Sequence, residues 1–272
     1  MSVLTTQFPI RLLQITDSHL YASDTGTLLK LNTHASLLKV IELVQQRETD
    51  IDLILATGDI AQDASAQAYQ HFMDAVSVLD APFRWIPGNH DDAALMAELS
   101  SGSEINNREE RINNWQIVLL DTSIDGQVHG RLADSELEFL QSSLQAAQDD
   151  EQVDHCLICL HHNPIPGTAG WMEDIGLHNA AEFFEVVKKF DKLRCAVYGH
   201  IHQNLDIERQ GIRCLCAPST CIQFKQKAPG FALDEKNPGY RWLHLFEDGS
   251  IETAAERVTD YALEIDLTAE GY

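Results

Sequence analysis

The sequence predicts an α/β fold in a single domain, with polar groups gathered along one end of its sheet. Three observations carry that expectation. Short apolar runs at 11–15, 51–56, 83–86, 155–160 and 194–198 read as buried strands. Segments with helical apolar spacing lie between most of them, the alternation that builds an α/β sheet. Each run also stops at Asp, Asn or His: Asp17-Ser18-His19, Gly58-Asp59, Gly88-Asn89-His90-Asp91, His161-His162 and Gly199-His200-Ile201-His202. Chance would scatter such residues along the strands. Here they stand just past the carboxyl ends, where open α/β sheets bind their ligands.

Residues 10–16 form the first strand, and 20–32 read as a loop turning at Asp24-Thr25-Gly26. Asn32 or Thr33 caps a helix to about 47, with Leu37, Leu38, Ile41 and Val44 on one face. The strand at 51–56 stops at the turn Thr57-Gly58 and delivers Asp59, and a helix follows over 64–79. Pro82 opens the strand at 83–86, a short helix covers 93–99, and 100–111 is a polar loop. Trp115 begins a strand that ends at Asp121, and Asp134-Ser135-Glu136 starts a helix to about 147. His161-His162-Asn163-Pro164 opens a long loop, and a helix covers 179–190. Three short strands near 203–209, 212–217 and 240–246 have no helix between them, so part of the sheet is expected to be antiparallel. Residues 256–272 show little periodicity and are expected to be a loosely held tail to a catalytic core at about 10–250.

The 272 residues suit one large α/β domain, and 44% hydrophobic content supplies a sizeable core. No linker, repeat or membrane-length apolar run interrupts the chain, and the N-terminus from Met1 lacks the pattern of a signal peptide. These features suggest a cytoplasmic protein. Cys156, Cys159, Cys195, Cys214 and Cys216 fall inside strands, where a reduced thiol packs as a small hydrophobe. Cys156 and Cys159 have CxxC spacing, but strand positions three apart face opposite sides and chelate poorly. A net charge of −23 argues against nucleic acid or an anionic membrane as partner.

The strand ends bring together Asp17, His19, Asp59, Asn89, His90, His161, His200 and His202. Two carboxylates, an amide oxygen and several imidazoles suit borderline transition metals better than Mg²⁺ or Ca²⁺, which prefer all-oxygen shells. The set exceeds the needs of one ion. Two ions about 3.5–4 Å apart with a shared carboxylate use it fully, and Asp59 is the candidate bridge. His34, His71, His129, His155, His178 and His244 stand outside the pattern as surface or packing residues. Of His161 and His162, the first lies nearer the strand and is the better ligand.

Asp17-x-His19, Gly58-Asp59, Gly88-Asn89-His90-Asp91, His161 and Gly199-His200-x-His202 resemble, in order, the signature of the calcineurin-like metallophosphoesterases. The second block of that signature is Gly-Asp-x-x-Asp, whereas here an Asp falls one place later, at Asp63. More narrowly, the chain resembles the bacterial class III 3′,5′-cyclic AMP phosphodiesterases over nearly its whole length. Leu13-Gln14-Ile15-Thr16-Asp17-Ser18-His19-Leu20, residues 68–72, the run from Ala217 to Lys225 and the terminal Ala269-Glu270-Gly271-Tyr272 carry that similarity.

The resemblance implies a four-layer α/β/β/α sandwich with a dinuclear centre of Fe²⁺ or Mn²⁺. It assigns Asp17, His19, Asp59 and His202 to one ion, and Asp59, Asn89, His161 and His200 to the other. His19, Asp59, Asn89, His90 and His202 are expected to meet the substrate, and His90 and Asp63 to be the catalytic side chains. The implied reaction is hydrolysis of cyclic AMP to 5′-AMP by a water activated between the ions, with His90 protonating the leaving 3′-oxygen or binding the phosphate. Two divalent ions less two carboxylates leave the site at about +2, so a small anion binds despite the acidic surface. The loop 164–179 is expected to border the nucleoside, with Trp171 either stacking on the base or packing the loop onto the body. Two other readings fit the fold: a metallophosphoesterase for a different phosphoester, and a scaffold without activity. The full donor set argues against the scaffold.

Overall fold

A computed structural model describes residues 3–271. Met1, Ser2 and Tyr272, which entered the reading of the two termini, lie outside them. In chain order the elements are Val3–Leu4 (β1), Ile10–Ile15 (β2), Thr33–Arg47 (α1), Leu53–Ala56 (β3), Ala66–Ser77 (α2), Phe83–Trp85 (β4), Ala93–Leu99 (α3), Glu109–Ile112 (β5) and Trp115–Leu119 (β6). There follow Asp134–Asp149 (α4), His155–Cys159 (β7), Ala180–Val187 (α5), Leu193–Tyr198 (β8), Leu205–Arg209 (β9), Ile212–Cys216 (β10), Gly239–Leu245 (β11) and Ile251–Arg257 (β12).

They build two facing sheets. One has seven strands in the order β1-β5-β6-β7-β8-β10-β9, and the other has five in the order β12-β11-β2-β3-β4. Each has a parallel set: β6, β7, β8 and β10 in the middle of one, and β2, β3 and β4 running out to an edge of the other. Antiparallel strands sit towards the edges, as β5 against β6, β9 against β10, and β11 between β2 and β12. The expected antiparallel portion therefore exists, but it is divided between both sheets.

Period-two alternation explains why the strands look apolar throughout. Leu12, Leu53, Leu55, Ile117, Leu157, Val197 and Leu215 point into the space between the sheets. Their neighbours Leu13, Ile54 and Ala56 face α1, α2 and α3, while Val118, Ile158 and Ala196 face α4 and α5. Both faces of both sheets are thus covered, which yields the expected α/β/β/α layers. Each fully buried Leu or Ile contributes about 1.5–3 kcal/mol relative to exposure. The same alternation sends Cys156 to the outer core and Cys159 to the inner one, and all six cysteines are unpaired and buried.

Several local expectations need correction. On α1 the buried stripe is Leu37, Val40, Ile41 and Val44, and Leu38 is 45% exposed, because i, i+3, i+4 and i+7 share a helix face. Asn32 is the cap, accepting from the Ala35 N–H at 2.7 Å. Helix α2 starts two residues late because Ala64 is left-handed (φ 49°) and Ser65 caps, accepting from the Ala68 N–H. The polar loop 100–111 runs into β5, and 27–32 forms a small hairpin. Strand β12 was not anticipated, and the tail beyond it is not loose. Tyr261, Leu263 and Ile265 pack on the core, and the Asp266 N–H donates to the Leu29 carbonyl at 2.9 Å. Among the described residues, no helix is long and apolar enough to cross a membrane.

Candidate metal centre

Both parallel arrays point their carboxyl ends to the same edge of the sandwich. The turn after β2 carries Asp17 and His19, that after β3 Asp59, and that after β4 Asn89 and His90. The opposite sheet contributes His161 after β7 and His200 and His202 after β8. Asp17, His19, Asp59, His200 and His202 all adopt positive φ, between 46° and 68°. Such backbone is costly for residues with side chains and persists where surrounding structure imposes it, as at functional sites. The motif glycines allow close approach: a Cβ on Gly88 would run into Asp59 Oδ1, and one on Gly199 into Thr16 Oγ1.

The side chains converge. His202 Nε2 lies 3.5 Å from Asp17 Oδ1 and 3.1 Å from His19 Nε2. Asp59 Oδ2 lies 3.3 Å from His161 Nε2 and 3.8 Å from His19 Nε2, between the two groups. Asn89 Oδ1 is 3.3 Å from His161 Nε2. His200 belongs to a cluster with His161 and His162, and its backbone N–H donates to the Asp17 carboxylate at 3.0 Å. Six of the seven expected metal-binding side chains are buried, and Asn89 is half-buried.

Fixed acceptors orient the rings. His161 Nδ1 donates to the Thr57 carbonyl (2.8 Å), His202 Nδ1 to the Ile222 carbonyl (2.9 Å), and His200 Nε2 to the Ile175 carbonyl (2.9 Å). A carbonyl only accepts, so each of these nitrogens carries a proton and the other nitrogen of the ring is turned towards the cluster. His162 differs: Nε2 donates to the Val128 carbonyl (3.1 Å) and Nδ1 pairs with Thr122 Oγ1 (2.7 Å). Both its nitrogens are committed, which favours His161 as the ligand.

Burial favours the neutral form of Asp17, but the charges of His202 and His161 outweigh it and hold the carboxyl below its usual range. Burial likewise opposes ionisation of Asp59, and His161 overcomes it through charge and a hydrogen bond. His19 and His200 are pushed down to about 3, first by burial. These are ionised carboxylates and neutral imidazoles, the protonation states that ligate metals. His161 is pushed up to about 9, the Asp59 carboxylate overriding burial, so a proton occupies the place between them that a cation competes for. The donor set fits two divalent ions sharing Asp59: mixed N and O atoms, two ionised carboxylates, and facing imidazole nitrogens at His19 and His202.

Of the expected site residues, the structure brings together all except Asp63. That residue is exposed, accepts from Ser65 and from the Ala22 N–H, and ties the start of α2 to the loop after β2. Sequence reasoning missed the residues that hold the clustered side chains in place. Gln62 lies between His19 and His90, and Ser219 Oγ donates to the Asp17 carbonyl at 2.7 Å. Asp91 accepts three backbone N–H groups, from Ile60, Ala61 and Gly88. The only available signals were the run 217–225 and the Asp ending Gly88-Asn89-His90-Asp91. Trp171 takes the packing role: its ring meets Phe224 and Phe231 at centroid distances of 5.3 and 5.5 Å, and Phe224 stacks on His202 at 4.3 Å.

A four-layer sandwich with a clustered donor set at its strand ends defines a scaffold able to hold metal ions. The profile of the family described as calcineurin-like phosphoesterase matches residues 10–204, which include every block of the cluster. The chain belongs to the calcineurin-like phosphoesterases. It is 42% identical over 267 residues to the 3′,5′-cyclic adenosine monophosphate phosphodiesterase CpdA of Pseudomonas aeruginosa, covering 98% of this chain and 97% of that one. The protein of the same name from Escherichia coli K12 is 40% identical over 265 residues, covering 97% and 95%. Among solved structures, a dimetal phosphatase from Danio rerio superposes with a TM-score of 0.63 at 14% identity, over 93% of this chain and all of that one. The purple acid phosphatase PPD1 of yellow lupin (Lupinus luteus) gives 0.66 at 14% identity, over 92% of this chain and 52% of that one. At that identity the two structures bear on the fold alone.

Proposed function

We propose that this chain hydrolyses 3′,5′-cyclic AMP to 5′-AMP with two divalent ions, iron or manganese, in a reducing cytoplasm. The observation that carries this reading is similarity to cyclic AMP phosphodiesterases over nearly the full length of both chains, in a protein whose whole donor set converges. Asp17, His19, Asp59 and His202 hold one ion, and Asp59, Asn89, His161 and His200 the other. Bound there, two divalent cations supply Lewis-acid charge for the phosphoryl group and an acidified water.

The chain's own residues do the rest. Asn89 directs its amide towards the phosphoryl oxygens. His90 donates through its ring, as proton donor to the 3′-oxygen or as a hydrogen-bond donor to the phosphate. The His90 backbone N–H donates to Asp59 Oδ1 at 2.9 Å and keeps the shared carboxylate in place. Beside Asn89 and His90 lies a cleft of about 560 Å³, bordered by residues 91–94 and 123–126, with room for the nucleoside. Six unpaired, buried thiols support the reducing compartment. The test is turnover of cyclic AMP, cyclic GMP and a phosphomonoester by metal-replete protein, with metal analysis. Fast cleavage of the monoester with none of cyclic AMP overturns the reading.

A further inference from the structure

Gln62 touches both His19 and His90. Its Oε1 lies 2.7 Å from His19 Nδ1, and its Nε2 lies 3.2 Å from His90 Nδ1. The rings stand edge to face with centroids 5.0 Å apart. Ligand chemistry settles which way this chain of contacts runs. As a metal ligand His19 presents a bare Nε2, so its proton is on Nδ1 and Gln62 Oε1 accepts it. The other end of the amide is then an NH₂ group, which only donates. His90 Nδ1 must accept, and the proton of the neutral His90 ring sits on Nε2.

Counting from Asp59, Gly-Asp-x-x-Asp puts its second Asp at position 62, and this chain has Gln62 there. A carboxylate at that point accepts from both rings and draws the His90 proton to Nδ1. An amide accepts from one ring and donates to the other. Asp63 does not compensate, because its oxygens are taken by Ser65 and the Ala22 N–H.

We propose that Gln62 is a positioning residue that couples His19 to His90 and fixes the His90 proton on Nε2, making that N–H a hydrogen-bond donor to the phosphodiester. The substrate in this proposal rests on the phosphodiesterase reading, and the tautomer rests only on His19 holding a metal ion. Ligation at His19 and orientation of His90 thereby become one event. His90 meets the phosphoryl group as a neutral donor that keeps its proton.

The test uses full-length protein labelled with ¹⁵N-histidine and loaded with Zn²⁺, a diamagnetic probe. Long-range ¹H–¹⁵N spectra report which His90 nitrogen is protonated, whether or not the protein turns over. Wild type is expected to show protonated Nε2 and bare Nδ1. Gln62→Glu is expected to bring a proton to Nδ1, and Gln62→Ala to leave a mixture of tautomers. Both variants are expected to lose about 10–100-fold in metal affinity or kcat, the range for residues that orient ligands, with KM little changed. A bare Nε2 in wild type, or nitrogen shifts in Gln62→Glu matching wild type, overturns the proposal. Cyclic AMP turnover by the wild type is measured on the same sample. Its absence beside the expected tautomer rejects the functional reading alone, and its presence beside the wrong tautomer rejects only the role of Gln62.

Discussion

Truncating His90 to alanine removes a half-buried ring and leaves the rest of the centre standing. The backbone N–H on Asp59 Oδ1 survives, and the Gln62 amide turns to water. If the ring holds its proton and only binds the phosphoryl group, the loss is one hydrogen bond to a charged group, about 1.5–3 kcal/mol. Each 1.36 kcal/mol is tenfold, so kcat/KM falls roughly 10–150-fold. It falls alike on cyclic AMP and on bis(p-nitrophenyl) phosphate, which share that group. Proton donation leaves a different signature. The ribose 3′-oxygen is strongly basic and needs a proton, and losing a general acid costs roughly 10²–10⁴-fold. p-Nitrophenolate leaves without help, so its cleavage hardly changes. The assay is kcat and KM on both substrates, with metal content measured to show that both ions remain. A loss beyond about 10³-fold on cyclic AMP with bis(p-nitrophenyl) phosphate nearly unaffected refutes the neutral-donor account.

Asp59→Ala is expected to lose both ions together, since its Oδ2 faces His161 at 3.3 Å and His19 at 3.8 Å, whereas His19→Ala weakens mainly one; elemental analysis finding one ion retained in Asp59→Ala means the carboxylate is not shared. In the metal-free protein the His161 value is raised to about 9 from 6.5, with burial opposing and the Asp59 charge prevailing. Its contribution to stability is therefore full below 6.5 and lost as pH rises through 9. Metal binding displaces that proton and tightens over the same window, so Mn²⁺ titrations at constant ionic strength that show no pH dependence there sink the exchange. Trp171→Ala is expected to lower stability by about 2–3 kcal/mol, below the range for fully buried Trp because the ring is partly exposed, and to leave KM for cyclic AMP unchanged; a large rise in KM with normal stability restores base stacking.

The layers and the clustering of polar side chains at the strand ends were legible because both obey short-range rules. A strand buried on both faces reads as a mostly apolar run, as β2, β3, β6, β7 and β8 did, with single polar residues such as Gln14 and Gln116 inside them. Strand β12 did not: its residues Ile251 to Arg257 are half-buried or exposed, so no apolar run marks them. The tail failed similarly, because Tyr261, Leu263 and Ile265 hold it by contacts distant in sequence rather than by any period. The clustered side chains announced themselves at strand ends, but the atoms that aim the rings are mostly backbone carbonyls, of Thr57, Ile222 and Ile175, which no side-chain pattern encodes. Asp63 shows how this misleads. An acidic residue one place from the expected position looks like a slipped ligand partner, and residue type alone favours it. Direction decides otherwise: Asp59 has left-handed backbone, and the chain after it turns Gln62 towards His19 and His90 and Asp63 towards Ser65. At a site built from turns, the place a residue occupies after the turn outweighs its charge. The amide that stands there sets a different hydrogen-bond polarity from the acid the pattern leads one to expect.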